Sequence, residues 1–469
     1  MTAVGLTDQP APSGARGTVG PPSQWSADAV AAALGVKSPG ARVFTSVSTD
    51  TRHLAPGTLF VALKGDRFDA HNFLKDAEAR GATAAVVRRG TPRQPGLPFF
   101  EVDDPLAALG LLARARRRAL PAGAPVVAIT GSSGKTSAKE MIRAALGERW
   151  RVHATTGNLN NLVGVPLTIL AAPADADALV VEAGASVPGE IATLRAIIEP
   201  TIAVITNVGY AHVEGFGSLA GVMREKLALL DGVPVAVVGT DPPELAAEAR
   251  RRTRTIVAGR APTAEVGPEA AELDDAGRAV VRWRGHTFTL PVVGLHQVDN
   301  AMIALAVAGQ AGVDAAAAAD RLAAVTLPAG RGSLVQLDGL TVIDDTYNAN
   351  PSSMRAALDF AAAYAARHRR PLAVVVGSML ELGAESARLH ADVADAVMAV
   401  RPAPALVAAV GEFGPAFARH AATLGPRLLA APDAEALGAA LRARLHGNEV
   451  VLLKASRGVA LERVLAHLP

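Results

Sequence analysis

The chain has 469 residues, a length that suits roughly three domains. Half of the residues are apolar and 19% are charged, the balance of a packed globular protein, and a net charge of +2 with interspersed signs argues against a nucleic-acid binder driven by a broad basic field. Cysteine is absent, which excludes disulfides, thiolate nucleophiles and cysteine metal sites.

Residues 1–24 are rich in Pro, Gly and Ser and read as a flexible tail, without the basic start and apolar core of a secretory signal. No uninterrupted apolar stretch reaches the ~18–20 residues that span a bilayer, so a soluble, cytoplasmic chain with no membrane insertion is expected. A first block, 25–105, holds a helix near "SADAVAAALG", then "FVALKG", a helical "AHNFLKDAEARG" and a strand "TAAVVRR". A second, 106–327, opens with the amphipathic helix "PLAALGLLARARRRAL". It then alternates strands at 126–130, 178–184 and 201–208 with helices after Thr136 and at 189–198. Continuous Val/Ile runs separated by helices indicate an α/β fold with a parallel sheet buried on both faces. Residues 265–292 alternate like antiparallel strands, and "DNAMIALAVAGQAG" returns to helix. After a Pro/Gly-rich boundary, "LPAGRGS", the third block, 328–469, alternates strand and helix again. Asn350 before Pro351 suits an N-cap followed by proline at the first helical position.

The stretch "VVAITGSSGKTSAKE" (126–140) joins a strand, a small-residue turn with Lys135 and Thr136, and a helix, the layout of a phosphate cradle. The strict P-loop pattern also wants a glycine where Ile129 stands. In open parallel sheets ligands sit beyond the carboxyl ends of the strands. Three strand ends deliver Lys135 with Thr136, Glu182, and His212, a set that fits a nucleotide phosphate with Mg²⁺. Taken singly, Glu182 is equally an ordinary loop carboxylate, and a lone His212 is more often a structural imidazole than a ligand. "TTGNLNNLVGVPLTIL" (155–170), with Thr156, Asn158, Asn160 and Asn161, and "DDTYNANPSS" (344–353) carry amides and hydroxyls. These suit phosphate, sugar or peptide groups, or plain turn chemistry.

In combination, twelve segments in order from about residue 45 resemble the Mur ligase family, ATP-dependent amide-bond ligases of peptidoglycan precursor synthesis. They include "STDTR", "TGSSGKTSAKE", "ITNVGYAHVEGFGS", "REK", "GLHQVDNAMIALA", "GRG", "DDTYNANPSSM" and "LKASRG". The family's loop has the T-G-x-x-G-K-T form, which accounts for Ile129. The "KASRG" segment departs slightly from the family pattern, since relatives usually carry glycine where Ala455 stands. The resemblance implies three domains: a smaller N-terminal α/β domain (25–105) for the UDP-sugar, a central P-loop mononucleotide-binding domain (106–327) and a C-terminal Rossmann-like domain (328–469). It implies ATP at Gly131, Ser132, Ser133, Gly134, Lys135, Thr136, Ser137, Asn300, Arg331, Asp345 and Tyr347. Substrate is expected at Ser48, Asp50, Arg52, Thr156, Asn158, Asn160 and Asn161. Lys135, Glu182, His212 and Lys226 form the implied catalytic set. Mg²⁺ is expected on Thr136, Glu182, His212 and Lys226, the lysine as a carbamate.

The wording "GNLNNLVGVPLT" and "DDTYNANP" favours the family member that uses UDP-N-acetylmuramoyl-tripeptide as acid and D-alanyl-D-alanine as amine. Separately, a monomer that binds no nucleic acid is expected. A sibling Mur ligase and a folylpolyglutamate synthase-like ligase are the alternatives within the enzyme class. A non-catalytic nucleotide-binding regulator is the alternative outside it. That last reading predicts damage to the catalytic set, whose members are all present.

Overall fold

The computed structural model describes residues 24–66 and 68–468. The tail expected over 1–24 lies, apart from Gln24, outside the described residues. Backbone contacts divide the chain into two units. The first takes residues up to Val126 with Trp150–Ala183 and Thr193–Pro200; the second takes Val127–Arg149, Gly184–Ala192 and the chain from Thr201 onward. No described helix is long and apolar enough to cross a membrane.

The first unit contains a four-stranded parallel sheet in the order Ser46–Ser48, Thr58–Val61, Ala82–Arg88, Phe99–Val102. Runs such as TLFV and ATAAVVR suit strands covered on both faces. Phe60, Leu74, Ala85, Val87 and Leu97 share one core. The helix expected over "AHNFLKDAEARG" begins as a 3-10 turn, Ala70–Phe73, because the Asp69 carboxylate accepts the His71 N–H (3.1 Å); the α-helix is Leu74–Ala79. A second parallel pair, Val152–Ala154 with Ala178–Glu182, belongs to this unit.

Helix Pro105–Arg118 starts where expected, with Asp104 as N-cap and proline in the first turn. Its basic end is fully used. Arg114 and Arg118 donate to the Glu199 carboxylate (2.7 and 2.8 Å), and Arg117 donates to the carbonyls of Ile198 and Glu199. Cations therefore meet the open carbonyl end of helix Glu190–Ile198, where the helix dipole favours positive charge.

The second unit holds parallel strands in the order Arg254–Val257, Val235–Val238, Ile202–Ile205, Val126–Thr130. The first two were not read from the sequence; Arg254–Val257 is half-exposed and lacks a continuous apolar run. The antiparallel expectation over 265–292 is met by Ala270–Leu273, Arg278–Trp283 and His286–Val293. Helix His296–Gln310 follows, then helix Ala315–Leu322, also unread.

A six-stranded sheet closes the chain in the order Ser333–Leu337, Leu340–Asp345, Val450–Lys454, Leu372–Val376, Leu406–Val410, Leu428–Ala431. All pairs are parallel except the first. Alternate residues of one strand enter opposite cores: Val374 and Val376 on one face, Ala373 and Val375 on the other. This is why these strands read as unbroken apolar runs. Helix Pro351–His368 begins with a capping box in which Asn350 accepts the Ser353 N–H and Ser353 Oγ accepts the Asn350 N–H.

Glu199 yields a stability test. The hydrogen bond from Arg118, opposed by partial burial and reinforced by Arg114, lowers its carboxyl from 4.5 to about 2. A carboxyl depressed in the folded state stabilises it above the unfolded-state value and ceases to do so as pH falls through the folded one. Its side chain is 27% exposed and the arginines more so, so screening limits the contribution to about 1–2 kcal/mol. Glu199→Gln is expected to lower urea-unfolding stability by that amount at neutral pH. The gap to the parent should close as pH falls from about 4.5 to about 2.

Candidate functional site

The strand Val126–Thr130 ends in a loop, 131–134, that leads into helix Lys135–Leu146. Two glycines are required here. Gly131 has φ +154°, and a Cβ on it would lie 1.9 Å from Thr206 Oγ1; Gly134 has φ +76°, and its Cβ would lie 2.7 Å from Asn300 Oδ1. Gly134 is the N-cap and offers no side chain to the first turn, so the helix start is left to bind an anion. Lys135 Nζ donates to Gly131 O (2.7 Å), folding over the loop. Thr136 and Ser137 are buried in the first turn.

The segment after Ile202–Ile205 braces this loop. Thr206 Oγ1 donates to Ser133 O (2.6 Å), and Asn207 Oδ1 accepts the Ser133 N–H (3.0 Å). Ser132 Oγ donates to Gly209 O (2.9 Å) and accepts the Gly209 N–H (2.8 Å). Asn300 lies against Gly134 and donates to Gln297 Oε1 (3.0 Å).

His212 adopts left-handed backbone, φ 56°, at the start of the turn Val213–Phe216. Its Nδ1 is paired with the Glu381 carboxylate and lies 3.5 Å from Ser186 Oγ. Glu381, also left-handed at φ 63°, is held below the usual carboxylate range by that hydrogen bond from His212. A carboxylate on Nδ1 leaves Nε2 as the imidazole's metal-binding nitrogen.

Lys226, on helix Leu219–Leu227, is 4% exposed. Burial, and then the charge of Lys135, lower its amine from 10.5 to about 7. Its neighbour Glu225 accepts the N–H groups of Gly189 and Ile191 (both 2.8 Å). In the third block the Arg331 guanidinium stacks on the Tyr347 ring at 3.9 Å, and its Nε is buried without a hydrogen-bond partner among the described residues. Asp345 pairs with the buried Lys454 (2.6 Å), which also donates to Asn348 O (3.0 Å).

Other expected residues lie in the first unit. Glu182 is buried at the end of its strand, accepts from Asn160 Nδ2 (3.0 Å), and donates its N–H to Thr155 Oγ1 (2.9 Å). Asn161 accepts the N–H groups of Val163 and Gly164 and starts helix Gly164–Leu170, a structural task. Thr156 and Asn158 are exposed on the same turn. Ser48, Asp50 and Arg52 form one motif: Ser48 Oγ accepts the Asp50 N–H, and Asp50 accepts the Arg52 N–H and guanidinium. That guanidinium holds Asp50 below the carboxylate range.

Among the described residues no group of three or more His, Asp or Glu converges as a ready-made metal cage. The donor types nonetheless suit Mg²⁺, which keeps waters and phosphate oxygens and takes few protein ligands. The glycine cradle with an uncapped helix start suits the ATP phosphates. Thr206, Asn207, Glu381 and Lys454 were not singled out from the sequence. The available signal was their position, just beyond or at the carboxyl end of a strand.

Three family models match in chain order: the Mur ligase family catalytic domain over 43–117, the Mur ligase middle domain over 129–308, and the Mur ligase glutamate ligase domain over 330–457. A Bacillus subtilis relative, named UDP-N-acetylmuramoyl-tripeptide–D-alanyl-D-alanine ligase, is 33% identical over 91% of this chain and 93% of its own length. An Escherichia coli relative of the same name is 39% identical over 76% of this chain and 79% of its own. The crystal structure of MurF from Acinetobacter baumannii superposes with a TM-score of 0.85 at 31% identity, covering 96% of this chain and 99% of that one. MurF from Thermotoga maritima, solved with ADP, gives 0.78 at 30% identity over 90% of this chain and 96% of that one. With the phosphate loop, the three-domain α/β fold and this similarity along nearly its whole length, the chain belongs to the Mur ligase family.

Proposed function

We propose that this chain is an ATP-dependent ligase that joins D-alanyl-D-alanine to the terminal carboxylate of UDP-N-acetylmuramoyl-tripeptide in peptidoglycan precursor synthesis. The observation that carries the reading is the glycine cradle of Gly131 and Gly134 under Lys135, in a chain whose relatives are named for that reaction. Residues 25–105 take the UDP end through Ser48, Asp50 and Arg52. Residues 106–327 bind ATP, and residues 328–469 add Arg331, Asp345 and Tyr347.

A carboxylate is a poor acyl donor because its oxide does not leave. ATP transfers its γ-phosphoryl group to the carboxylate, releasing ADP and giving an acyl phosphate; the amine attacks its carbonyl carbon, loses a proton and expels inorganic phosphate. Mg²⁺ supplies charge that screens the approach of a carboxylate to a triphosphate. The residues' part is placement and electrostatics. The loop N–H groups and the helix start hold phosphate, and the Lys135 ammonium stabilises charge on the transferring group. Thr136 and His212 offer an oxygen and a nitrogen donor for the metal.

Lys226 contributes differently. A bare ammonium would repel Mg²⁺, whereas an amine lowered to about 7 is substantially neutral at physiological pH. A neutral amine adds CO₂ to form an anionic carbamate with two oxygen donors, which suits a hard cation.

The direct test is phosphate release from ATP against a panel of UDP-linked peptides and D,D-dipeptides. Release that requires UDP-N-acetylmuramoyl-tripeptide and D-alanyl-D-alanine together supports the assignment. Release with neither, or preference for a single amino acid, redirects it to a regulator or a sibling ligase.

Lys135→Ala and Glu182→Ala should each cost on the order of 100-fold or more in kcat, with circular dichroism unchanged. Near-parental rates in either variant would remove that residue from the catalytic set. Lys226→Ala should lose activity and regain part of it in formate or acetate, which can occupy the vacated carboxylate position. A Lys226→Ala enzyme that is fully active without added carboxylate would exclude the carbamate.

A further inference from the structure

One peptide of the phosphate loop, between Ser132 and Ser133, is held at both ends by asparagine side chains. Its N–H end is fixed by Asn207, whose Oδ1 accepts from Ser133 N (3.0 Å). Its C=O end is fixed by Asn350, whose Nδ2 donates to Ser132 O (3.1 Å) in a buried contact between residues 218 positions apart. Asn207 follows the strand Ile202–Ile205, and Asn350 is the N-cap of helix Pro351–His368. The same helix start lies close to the loop's brace: a Cβ added to Gly209 would be 3.4 Å from Ser352 Oγ.

The Asn350 amide has two separate tasks. Its oxygen caps the helix, accepting from Ser353 N (2.9 Å) and Ser352 Oγ (3.0 Å). Its nitrogen reaches the phosphate loop. For capping alone aspartate serves as well as asparagine. Only the amide also supplies a donor, and a carboxylate in its place would face the Ser132 carbonyl oxygen. The Ser133 N–H is itself taken by Asn207, so this peptide supplies shape rather than a donor: turned over, it would lose both bonds and displace the neighbouring N–H groups of the loop and helix start, which an anion needs.

We propose that Asn350 is a positioning residue for the nucleotide phosphates: through it, helix Pro351–His368 holds the 132–133 peptide in the orientation that ATP binding needs. The 328–469 segment thereby sets the affinity of the phosphate loop. This depends on the ligase reading only for the identity of the nucleotide.

The experiment uses the full chain and compares parent, Asn350→Asp, Asn350→Ser and Ser353→Ala by ATP titration calorimetry and thermal unfolding. Asn350→Asp keeps a cap and loses the donor, so it should melt near the parent yet bind ATP about tenfold more weakly. Asn350→Ser also caps but is too short to reach Ser132, and it gives the same reading without a charge should the aspartate variant not fold. Ser353→Ala removes the returning half of the capping box and keeps the donor; it should melt earlier and bind ATP as the parent does.

Parental ATP affinity in Asn350→Asp and Asn350→Ser would overturn the proposal. So would an equal loss of affinity in Ser353→Ala, which would make helix capping the cause. Calorimetry needs neither peptide substrate nor amine. A chain that binds ATP but ligates nothing would therefore sink the ligase reading and leave this comparison intact.

Discussion

The close approach of Gly131 to Thr206 is the constraint on which the site depends. Parallel strands place their carboxyl ends side by side, and here the two ends are so near that a single methyl group would overlap a hydroxyl oxygen. Only a residue without a Cβ permits the contact. Once permitted, it lets Thr206 and Asn207 hydrogen-bond the loop and hold its shape. The cradle is thus organised by its neighbour strand rather than by its own sequence.

Charge in the second unit is arranged unevenly around that cradle. Lys135 rests on a loop carbonyl, and Lys226 is buried nearby, its amine discharged in part by burial and by Lys135 itself. Lys454, as deeply buried, is neutralised by Asp345 at 2.6 Å and lies at the end of the final strand. Two buried lysines in one fold therefore have opposite electrostatic settings. One is a compensated ion pair whose ammonium also donates to Asn348 O; the other is an amine whose charge is disfavoured by burial and by a neighbouring ammonium.

The arginine-rich end of helix Pro105–Arg118 shows how a charge run can be wholly structural. Arg114, Arg117 and Arg118 all serve Glu199 and the helix end before it, and Arg116 donates to the carbonyls of Ala172 and Pro173. Four arginines in five residues would suggest a surface for an anionic partner. Their partners are instead supplied from within the chain, which agrees with the weak net charge.

Much of the fold was legible in the sequence because buried parallel strands and amphipathic helices impose their own periodicities. The strand Val126–Thr130 and the helices Pro105–Arg118 and Glu190–Ile198 lie where the pattern puts them. Half-exposed edge strands such as Arg254–Val257 and Ser333–Leu337 were not legible, since one open face admits polar residues and breaks the run. At the site, the sequence by itself determined the loop, its lysine and the cap at Asn350, all local features carried by consecutive residues. Tertiary structure decided that Glu381 holds His212, that Lys454 holds Asp345, and that Asn350 reaches Ser132. Each of those joins residues more than 100 positions apart, and hydrogen bonds across such separations leave no periodicity in the chain to read.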